Sequence, residues 1–220
     1  MIESLLSAPK KKGTYAINLD WKGAVIGSKD VVDLAGNVWT PTTQNATGQV
    51  VNDSLRGKVY RANADGAFST PITSALFIYG KSFVLEFEAL SLNSGSHNLG
   101  GSGDYNQGIS SGISVNFGQF ATNYYQAFLM GPGTNYTRLY PTAAYTSKWT
   151  RVVITRTYGS GFKMDLYHDD ESSTVPFASA SVPEIEIGNG SGYWWLFKSP
   201  NTPTNFFNGL LNYYRLTIKD

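Results

Sequence analysis

The stretch of sequence that decides the fold is SFVLEFEALSL, residues 82–92. Hydrophobic residues recur at every second position along it, and a period of two places successive side chains on opposite faces of a β-strand. One face carries Glu86 and Glu88, and we expect it to face solvent. The other face is predicted to be buried in the core and carries Phe83, Leu85, Phe87 and Ala89.

Two further runs predict a β-hairpin. Residues 149–157 are rich in β-branched residues and lead into the turn Tyr158-Gly-Ser-Gly161. This turn feeds a third run at residues 162–168, so the two runs are expected to pair with each other.

The last run of the chain, residues 209–219, also alternates. We expect Leu211, Tyr213 and Arg215 to share one face of that strand. The remaining candidate strands are residues 15–19, 58–61, 109–117, 124–130 and 194–198.

Three segments without periodicity separate these runs. The longest is residues 93–112, which is rich in Gly, Ser and Asn, and the others are residues 131–137 and 199–208. Loops of this length in a compact domain are usually functional or disordered. Many short strands with turn signals between them predict an all-β fold, an antiparallel β-sandwich that occupies residues 15–220.

Residues 1–14 are predicted to be an arm in front of the sandwich. Residues 2–8 could form two helical turns that end at Pro9, but residues 1–13 contain too little apolar surface to fold alone, and the basic run Lys10–Lys12 precedes the first strand. We expect this arm to become ordered only against a neighbour.

Composition excludes several classes of protein. A net charge of +1 gives no broad field that would attract nucleic acid or an anionic membrane. No window approaches the length of apolar sequence that a transmembrane helix needs, and no secretory signal is predicted. The absence of Cys excludes disulfide scaffolds, thiolate zinc sites and thiol nucleophiles.

Short motifs extend in order over residues 15–219. They are Ile17-Asn-Leu-Asp20, Asp33-Leu-Ala-Gly36-Asn37, Gly57-Lys-Val-Tyr60-Arg-Ala-Asn63, Ser82-Phe83-Val-Leu85-Glu86-Phe87, Trp149-Thr150-Arg-Val152-Val-Ile154-Thr-Arg156, Met164-Asp-Leu-Tyr167 and Phe207-Asn-Gly209-Leu-Leu211. In this order they resemble the concanavalin A-like lectin/glucanase superfamily in its laminin-G-like form. One departure from its pattern is the acidic turn His168-Asp-Asp-Glu171, which replaces a Tyr-x-Asn/Asp-Gly turn.

The resemblance implies a jelly-roll β-sandwich and a biological setting. Domains of this kind recur in bacteriophage virion and tail proteins, and the composition, which is rich in Asn, Ser, Thr, Tyr and Gly, fits that setting. The resemblance therefore implies a non-enzymatic virion protein that is oligomeric in the particle. Such a protein either docks on other virion proteins or binds host surface glycan.

An enzyme remains the alternative. Related glucanases place Glu-x-Asp-x-x-Glu on a strand such as residues 82–92, but here the third carboxylate is missing and the central Asp is Glu88. Side chains at i and i+2 lie about 6.5–7 Å apart on one face, whereas retaining hydrolysis needs carboxyls about 5–5.5 Å apart. In a glucanase-like enzyme, Glu86 would be the nucleophile or stabiliser and Glu88 the proton donor.

No metal or cofactor is predicted. His97 and His168 have no second ligand at the spacing that a zinc site needs. Asp169, Asp170 and Glu171 are oxygen ligands that suit calcium, and the sequence leaves open whether an ion sits near Asp169 and Asp170.

The candidate binding surface combines the loop at residues 93–107 with the aromatic residues 193–195. A neutral Gly/Ser/Asn-rich loop supplies adaptable hydrogen bonds, and aromatic rings supply flat area for stacking on a sugar or anchoring a protein. Adjacent aromatics on a strand face opposite sides, so part of this set is expected to fill the core. The candidate ligand-binding residues are Asp104, Tyr105, His97, Tyr193, Trp194 and Trp195.

Overall fold

The structure is a computed structural model. It describes residues 15–42, 47–92, 97–103, 112–117, 125–131, 135–141, 148–168, 174–190, 192–198 and 206–219. The predicted arm, residues 1–14, lies outside the described residues, as do Asp169, Asp170 and Glu171 of the acidic turn.

The first antiparallel sheet contains eight strands within the described residues, in the order β13-β12-β11-β6-β15-β4-β3, and β1 pairs with the far end of β15. Its strands are β1 (Ile17–Asp20), β3 (Gln49–Asp53), β4 (Gly57–Asn63), β6 (Ser82–Ser91), β11 (Thr150–Thr157), β12 (Gly161–His168), β13 (Ala178–Val182) and β15 (Asn208–Lys219).

The second antiparallel sheet contains seven strands in the described part of the chain, in the order β10-β9-β8-β7-β14-β5-β2. Its strands are β2 (Thr40–Pro41), β5 (Phe68–Pro71), β7 (His97–Gly101), β8 (Gly112–Phe117), β9 (Tyr125–Met130), β10 (Tyr136–Leu139) and β14 (Tyr193–Leu196). A single turn of 3-10 helix, Ser74–Leu76, connects the two sheets before β6.

The two sheets pack face to face over one large apolar core, so the predicted all-β sandwich is confirmed. The faces follow the sequence alternation, because strand side chains point to opposite sides in turn. Phe83, Leu85, Phe87 and Ala89 of β6 are all buried in this core, as predicted. The predicted hairpin also forms, with Thr157 of β11 opposite Gly161 of β12.

The last strand contradicts the simple alternation that the sequence suggested. The pairing of β15 with β6 shifts between Leu211 and Tyr213, which is a β-bulge at Asn212. A bulge inserts one extra residue and reverses the phase of the strand beyond it. Leu211 and Tyr214 therefore both face the core, whereas Tyr213 lies on the other face.

This bulge coincides with a change of partner along the other edge of β15. Residues 208–211 pair with β4, and residues 213–216 pair with β1. The bend that a bulge introduces accommodates this change, because two short strands then share one long neighbour.

Part of the predicted long loop at residues 93–112 is a strand. β7 is buried along its whole length and lies between β8 and β14. The prediction was wrong there because Gly100 and Gly101 lower strand propensity. Gly101 is required by packing, since a Cβ at this position would lie 2.1 Å from the carbonyl oxygen of Ile113 on β8.

Five further strands, β2, β3, β5, β10 and β13, had no counterpart in the sequence prediction. Among the described residues, no helix is long and apolar enough to cross a membrane.

Candidate binding site on the second sheet

The outer faces of the two sheets differ in charge. Among the strands of the second sheet, Arg138 on β10 carries the only formal charge at neutral pH, because His97 is kept neutral by burial, which lowers its pKa. The strands of the first sheet carry many charged residues, namely Asp20, Asp53, Lys58, Arg61, Glu86, Glu88, Arg151, Arg156, Lys163, Asp165, Arg215 and Lys219.

Glu88 on the first sheet is buried, which corrects the expectation that it faces solvent. Only 1% of its surface is exposed. Arg56 Nε and Nη2 donate to its Oε1 at 2.9 and 2.7 Å, and Asn212 Nδ2 donates to its Oε2 at 2.6 Å. Both carboxylate oxygens are thus occupied by fixed donors, so Glu88 is not placed to protonate a leaving group.

A small apolar cluster on the same outer face explains this burial. Its buried members are Val59, Trp149 and Leu210, with Val51 and Leu90 packed against them. The guanidinium of Arg56 lies 5.6 Å from the centre of the Trp149 ring. A charge in such surroundings must be paired, and the pair of Arg56 and Glu88 satisfies this requirement.

Glu86 is also held by its neighbours. Tyr213 donates its hydroxyl to Glu86 Oε1 at 2.9 Å, and Arg151 Nη1 lies 3.8 Å from the same oxygen. Burial raises the pKa of the Tyr213 phenol and the Glu86 carboxylate raises it further, so the phenol remains a donor. The arrangement of Glu86 and Glu88 is that of a structural network.

One row of residues crosses the entire outer face of the second sheet. The strand registers place matching residues side by side on all seven strands. In order across the sheet, this row is Thr40, Ser69, Trp195, Gly101, Ser114, Phe128 and Arg138. Gly101, Ser114, Phe128 and Ser69 are buried, Trp195 is half-buried, and only the end members Thr40 and Arg138 are exposed.

The aromatic pair Tyr193 and Trp195 stands on this face near one edge. The two residues are at i and i+2 on β14, so both side chains point outward, and their ring centres are 6.1 Å apart. Tyr193 is 46% exposed and Trp195 is half-buried. Their neighbours on β5, Pro71 and Ser69, carry no charge.

Residues with left-handed backbone stand on either side of β14. Phe197 has φ 65° although it is a bulky residue, and it lies in the core stacked on Tyr60 with ring centres 5.2 Å apart. On the other side, Gly190 has φ 80°, and a Cβ there would lie 1.5 Å from the Ser102 carbonyl oxygen. These two backbone constraints, one at each end, hold β14 in a single position.

The structure places some of the predicted site residues in the core and others on the surface. Trp194 is completely buried, and its indole Nε1 donates to the Tyr214 hydroxyl at 3.0 Å. It belongs to the core, so its assignment to the ligand surface is corrected. Strand alternation dictates this outcome, because Tyr193 and Trp195 take the opposite face.

His97 is also buried, at the start of β7. Its Nδ1 lies 2.9 Å from the carbonyl oxygen of Phe206, and its buried Nε2 has no hydrogen-bond partner among the described residues. Its position is therefore structural. Asp104 and Tyr105 lie outside the described residues, so their predicted role stays a prediction.

The two predicted regions are nevertheless neighbours. β7, which falls within residues 93–107, pairs with β14 through Gly101 opposite Trp195. Sequence reasoning missed Thr40, Ser69 and Pro71 beside the aromatic pair, because strand pairing between distant segments leaves no local signal. Among the described residues, no group of three or more His, Asp or Glu side chains is arranged to hold a metal ion.

Comparisons with known proteins agree on the fold. The sequence matches no protein-family model and no curated protein. Among solved structures, domain 4 of AbnA, a GH43 extracellular arabinanase from Geobacillus stearothermophilus in complex with arabinotriose, is similar with a TM-score of 0.65. The identity is 13%, over 94% of this chain and 93% of that chain. The two chains share the β-sandwich fold.

Toxin binding domains share this fold over part of their length. The binding domain of botulinum neurotoxin DC, in complex with rat synaptotagmin II, has a TM-score of 0.60 and 14% identity over 93% of this chain and 48% of that chain. The binding domain of Paraclostridial Mosquitocidal Protein 1 has a TM-score of 0.60 and 15% identity over 87% and 47%. The chain therefore spans about half the length of these toxin domains.

Proposed function

We propose that this chain is a non-catalytic binding module whose ligand is a neutral glycan held on the outer face of the second sheet. The observation that carries the proposal is the outward-facing pair Tyr193 and Trp195 on a sheet face with almost no charge. Aromatic rings stack on the apolar face of a sugar ring, and hydroxyl groups beside them bond to its polar edge. The exposed Thr40, two strands from Trp195 in the same row, supplies such a hydroxyl.

The structural neighbours support a binding role. One is an arabinanase domain in complex with arabinotriose, and another is a toxin binding domain in complex with SialylT. A shared fold alone does not transfer a ligand. The proposal for this chain therefore rests on its own aromatic pair.

The first sheet supports the non-catalytic part of the proposal. A retaining glycosidase needs one carboxyl that protonates the leaving group and one that attacks the sugar. Glu88 is sequestered by Arg56 and Asn212, and Glu86 is bonded to Tyr213. The glucanase alternative with Glu86 and Glu88 is therefore not the function that the geometry favours.

The setting that we propose is a bacteriophage virion, in which the module works as an adhesion component beside other virion proteins. This part rests on the resemblance of the ordered sequence motifs to the concanavalin A-like superfamily, whose domains recur in virion and tail proteins. Mass spectrometry of purified particles tests it, because a virion component copurifies in constant ratio to the major proteins. Absence of the chain from washed particles would contradict the virion setting and leave the glycan proposal intact.

Binding measurements on matched variants test the glycan proposal. We would titrate the purified chain with a panel of neutral oligosaccharides that includes arabinotriose, and repeat this with Trp195→Ala and Tyr193→Ala. We expect each variant to weaken binding by about 1–3 kcal/mol without a change in fold. The control is Tyr158→Ala, an exposed tyrosine at the β11–β12 turn, which should bind normally.

The salt dependence provides a second readout. A neutral ligand on an uncharged face should bind with nearly the same affinity at low and high salt. Failure of every neutral glycan to bind, or binding that survives Trp195→Ala unchanged, would contradict the proposal.

A further inference from the structure

A second surface, away from the aromatic pair, has the character of a protein contact. The segment of residues 21–39 connects β1 to β2 and begins and ends with buried tryptophans, Trp21 and Trp39. Between them it turns aliphatic side chains toward solvent. We name these the aliphatic patch: Val25, Ile26, Val32, Leu34 and Val38.

The exposure of this patch is unusual for aliphatic residues. Val25, Leu34 and Val38 are 75, 64 and 76% exposed. Single exposed apolar residues are common on protein surfaces, but several that come from one segment mark a site of association. Aliphatic groups lack the flat face that stacks on sugars, so the patch fits an apolar peptide segment better than a glycan.

The segment that bears the patch is fixed by hydrogen bonds to the sandwich. Gly27 N donates to Val50 O and Val50 N to Ser28 O, both at 2.8 Å. Lys58 Nζ donates to Ala24 O at 2.7 Å, and the Tyr60 hydroxyl donates to Lys29 O at 3.3 Å.

Asp33 fixes the other end of the segment. Its carboxylate accepts hydrogen bonds from Asn18 N, Ala35 N, Asn37 Nδ2 and Trp39 Nε1, at distances between 2.7 and 3.0 Å. A surface that is already rigid loses little conformational entropy when a partner binds. The patch is therefore preorganised for contact.

A groove runs along this surface and has room for apolar side chains. It measures about 450 Å³ and is lined by Asp20, Lys22, Gly23, Ala24, Val32 and Leu34. Ala24, Val32 and Leu34 give this lining its aliphatic part and Asp20 and Lys22 its polar part, a combination that suits one side of a short amphipathic segment.

The chain itself contains such a segment. Residues 1–8 carry Ile2, Leu5 and Leu6 at i, i+3 and i+4, a spacing that places them on one face of a helical turn. This sequence joins the sandwich beside the patch, because Asn37 Nδ2 donates to Ala16 O and Leu34 N donates to Asn18 O.

From these observations we infer that residues 1–8 of one copy bind the aliphatic patch of a second copy. Residues 9–15 span about 23 Å when extended, which is long enough to reach a neighbour. Exchange of an identical element between copies is a low-cost route to association. This inference does not depend on the glycan proposal.

Sedimentation velocity on the full chain tests the inference. The unmodified chain should associate as its concentration rises. Val25→Ser should weaken association about tenfold or more, because the apolar side chain of Val25 is removed from water when the contact forms. The matched control is Val175→Ser, since Val175 is equally exposed at 75% but lies outside the patch.

A mixing experiment identifies the occupant. One chain carries Leu5→Ser with Leu6→Ser, and the other carries Val25→Ser with Leu34→Ser. Each should be monomeric alone, and the mixture should form one-to-one pairs, because it contains one intact arm and one intact patch. A monomeric unmodified chain, association of either variant alone, or a mixture that stays monomeric would each overturn the inference. Circular dichroism confirms that both variants are folded.

Discussion

Asp33 shows how one residue fixes a long irregular segment. Its carboxylate collects two backbone and two side-chain donors, and these join β1 to the segment that leads to β2. This explains in physical terms why Asp and Asn stand at the ends of the motif Asp33-Leu-Ala-Gly36-Asn37. Asn37 Nδ2 donates both to Asp33 and to the Ala16 carbonyl.

Replacement of Asp33 should therefore be costly. Asp33→Ala leaves several donors without their acceptor, and we expect the free energy of unfolding to fall by about 2–4 kcal/mol. Asp30→Ala, on the same segment but exposed, should change it by about 0.5 kcal/mol or less. Urea denaturation of both variants measures the difference, and equal losses would contradict the role of Asp33.

His97 should make stability depend on pH. Burial lowers the pKa of its imidazole below the ordinary 6.5, and the hydrogen bond to Phe206 O only partly opposes this. The folded state then resists protonation more than the unfolded state does. The contribution of neutral His97 to the free energy of unfolding is therefore fully present above pH 6.5 and is lost as the pH falls below 6.5.

Denaturation at a series of pH values between about 7.5 and 5 measures this effect. His97→Gln should flatten the profile in that range. An unchanged profile in His97→Gln would show that another group is responsible.

At the scale of single elements, β6 supplies both the core and the charge network. Glu88→Ala leaves Arg56 buried beside Trp149 without its partner, so we expect a loss of about 3–5 kcal/mol. Glu86→Ala, whose side chain is partly exposed, should cost about 1 kcal/mol or less. Chemical denaturation of both variants decides this. Wild-type stability in Glu88→Ala combined with loss of a glycan-cleaving activity would restore the enzyme hypothesis.

The elements also show what sequence can predict. β6, the β11–β12 hairpin and the existence of β15 follow from local alternation, which is strong in those segments. β7 and the bulge at Asn212 do not follow from local alternation. Gly100 and Gly101 of β7 are required by close contact with β14 and β8, and the bulge accompanies the change of partner strand from β4 to β1. These causes lie in distant parts of the chain, as does the pairing that places Ser69 beside Trp195.

The candidate site was predicted in part for the same reason. Composition and alternation pointed to residues 193–195 and indicated that neighbouring aromatics would face opposite sides. The structure shows which side Trp194 takes, because its indole lies in the core and donates to Tyr214. The burial of Glu88 depends on Arg56 and Trp149, which are far from it in sequence.

At the scale of the whole molecule, the two sheets differ in the charge that their strands carry. The first sheet pairs its charges with each other, as in the ion pairs of Arg151 with Glu86 and of Lys163 with Asp165. The second sheet presents neutral and aromatic side chains on its outer face. A sandwich that keeps its charges on one sheet leaves the other suited to uncharged ligands, and this asymmetry is the basis of the proposed function.

The position of the glycan can be read from the indole resonances. The chain has five tryptophans, and Trp195 is the one on the outer face of the second sheet. We would follow the five indole N–H signals by NMR while adding the neutral oligosaccharide that binds best in the panel. The account predicts that the Trp195 signal shifts in proportion to saturation, whereas that of Trp194, bonded to Tyr214 in the core, stays in place. Saturable binding that leaves the Trp195 signal unmoved, or that shifts the Trp149 signal beside Glu88 instead, would contradict it.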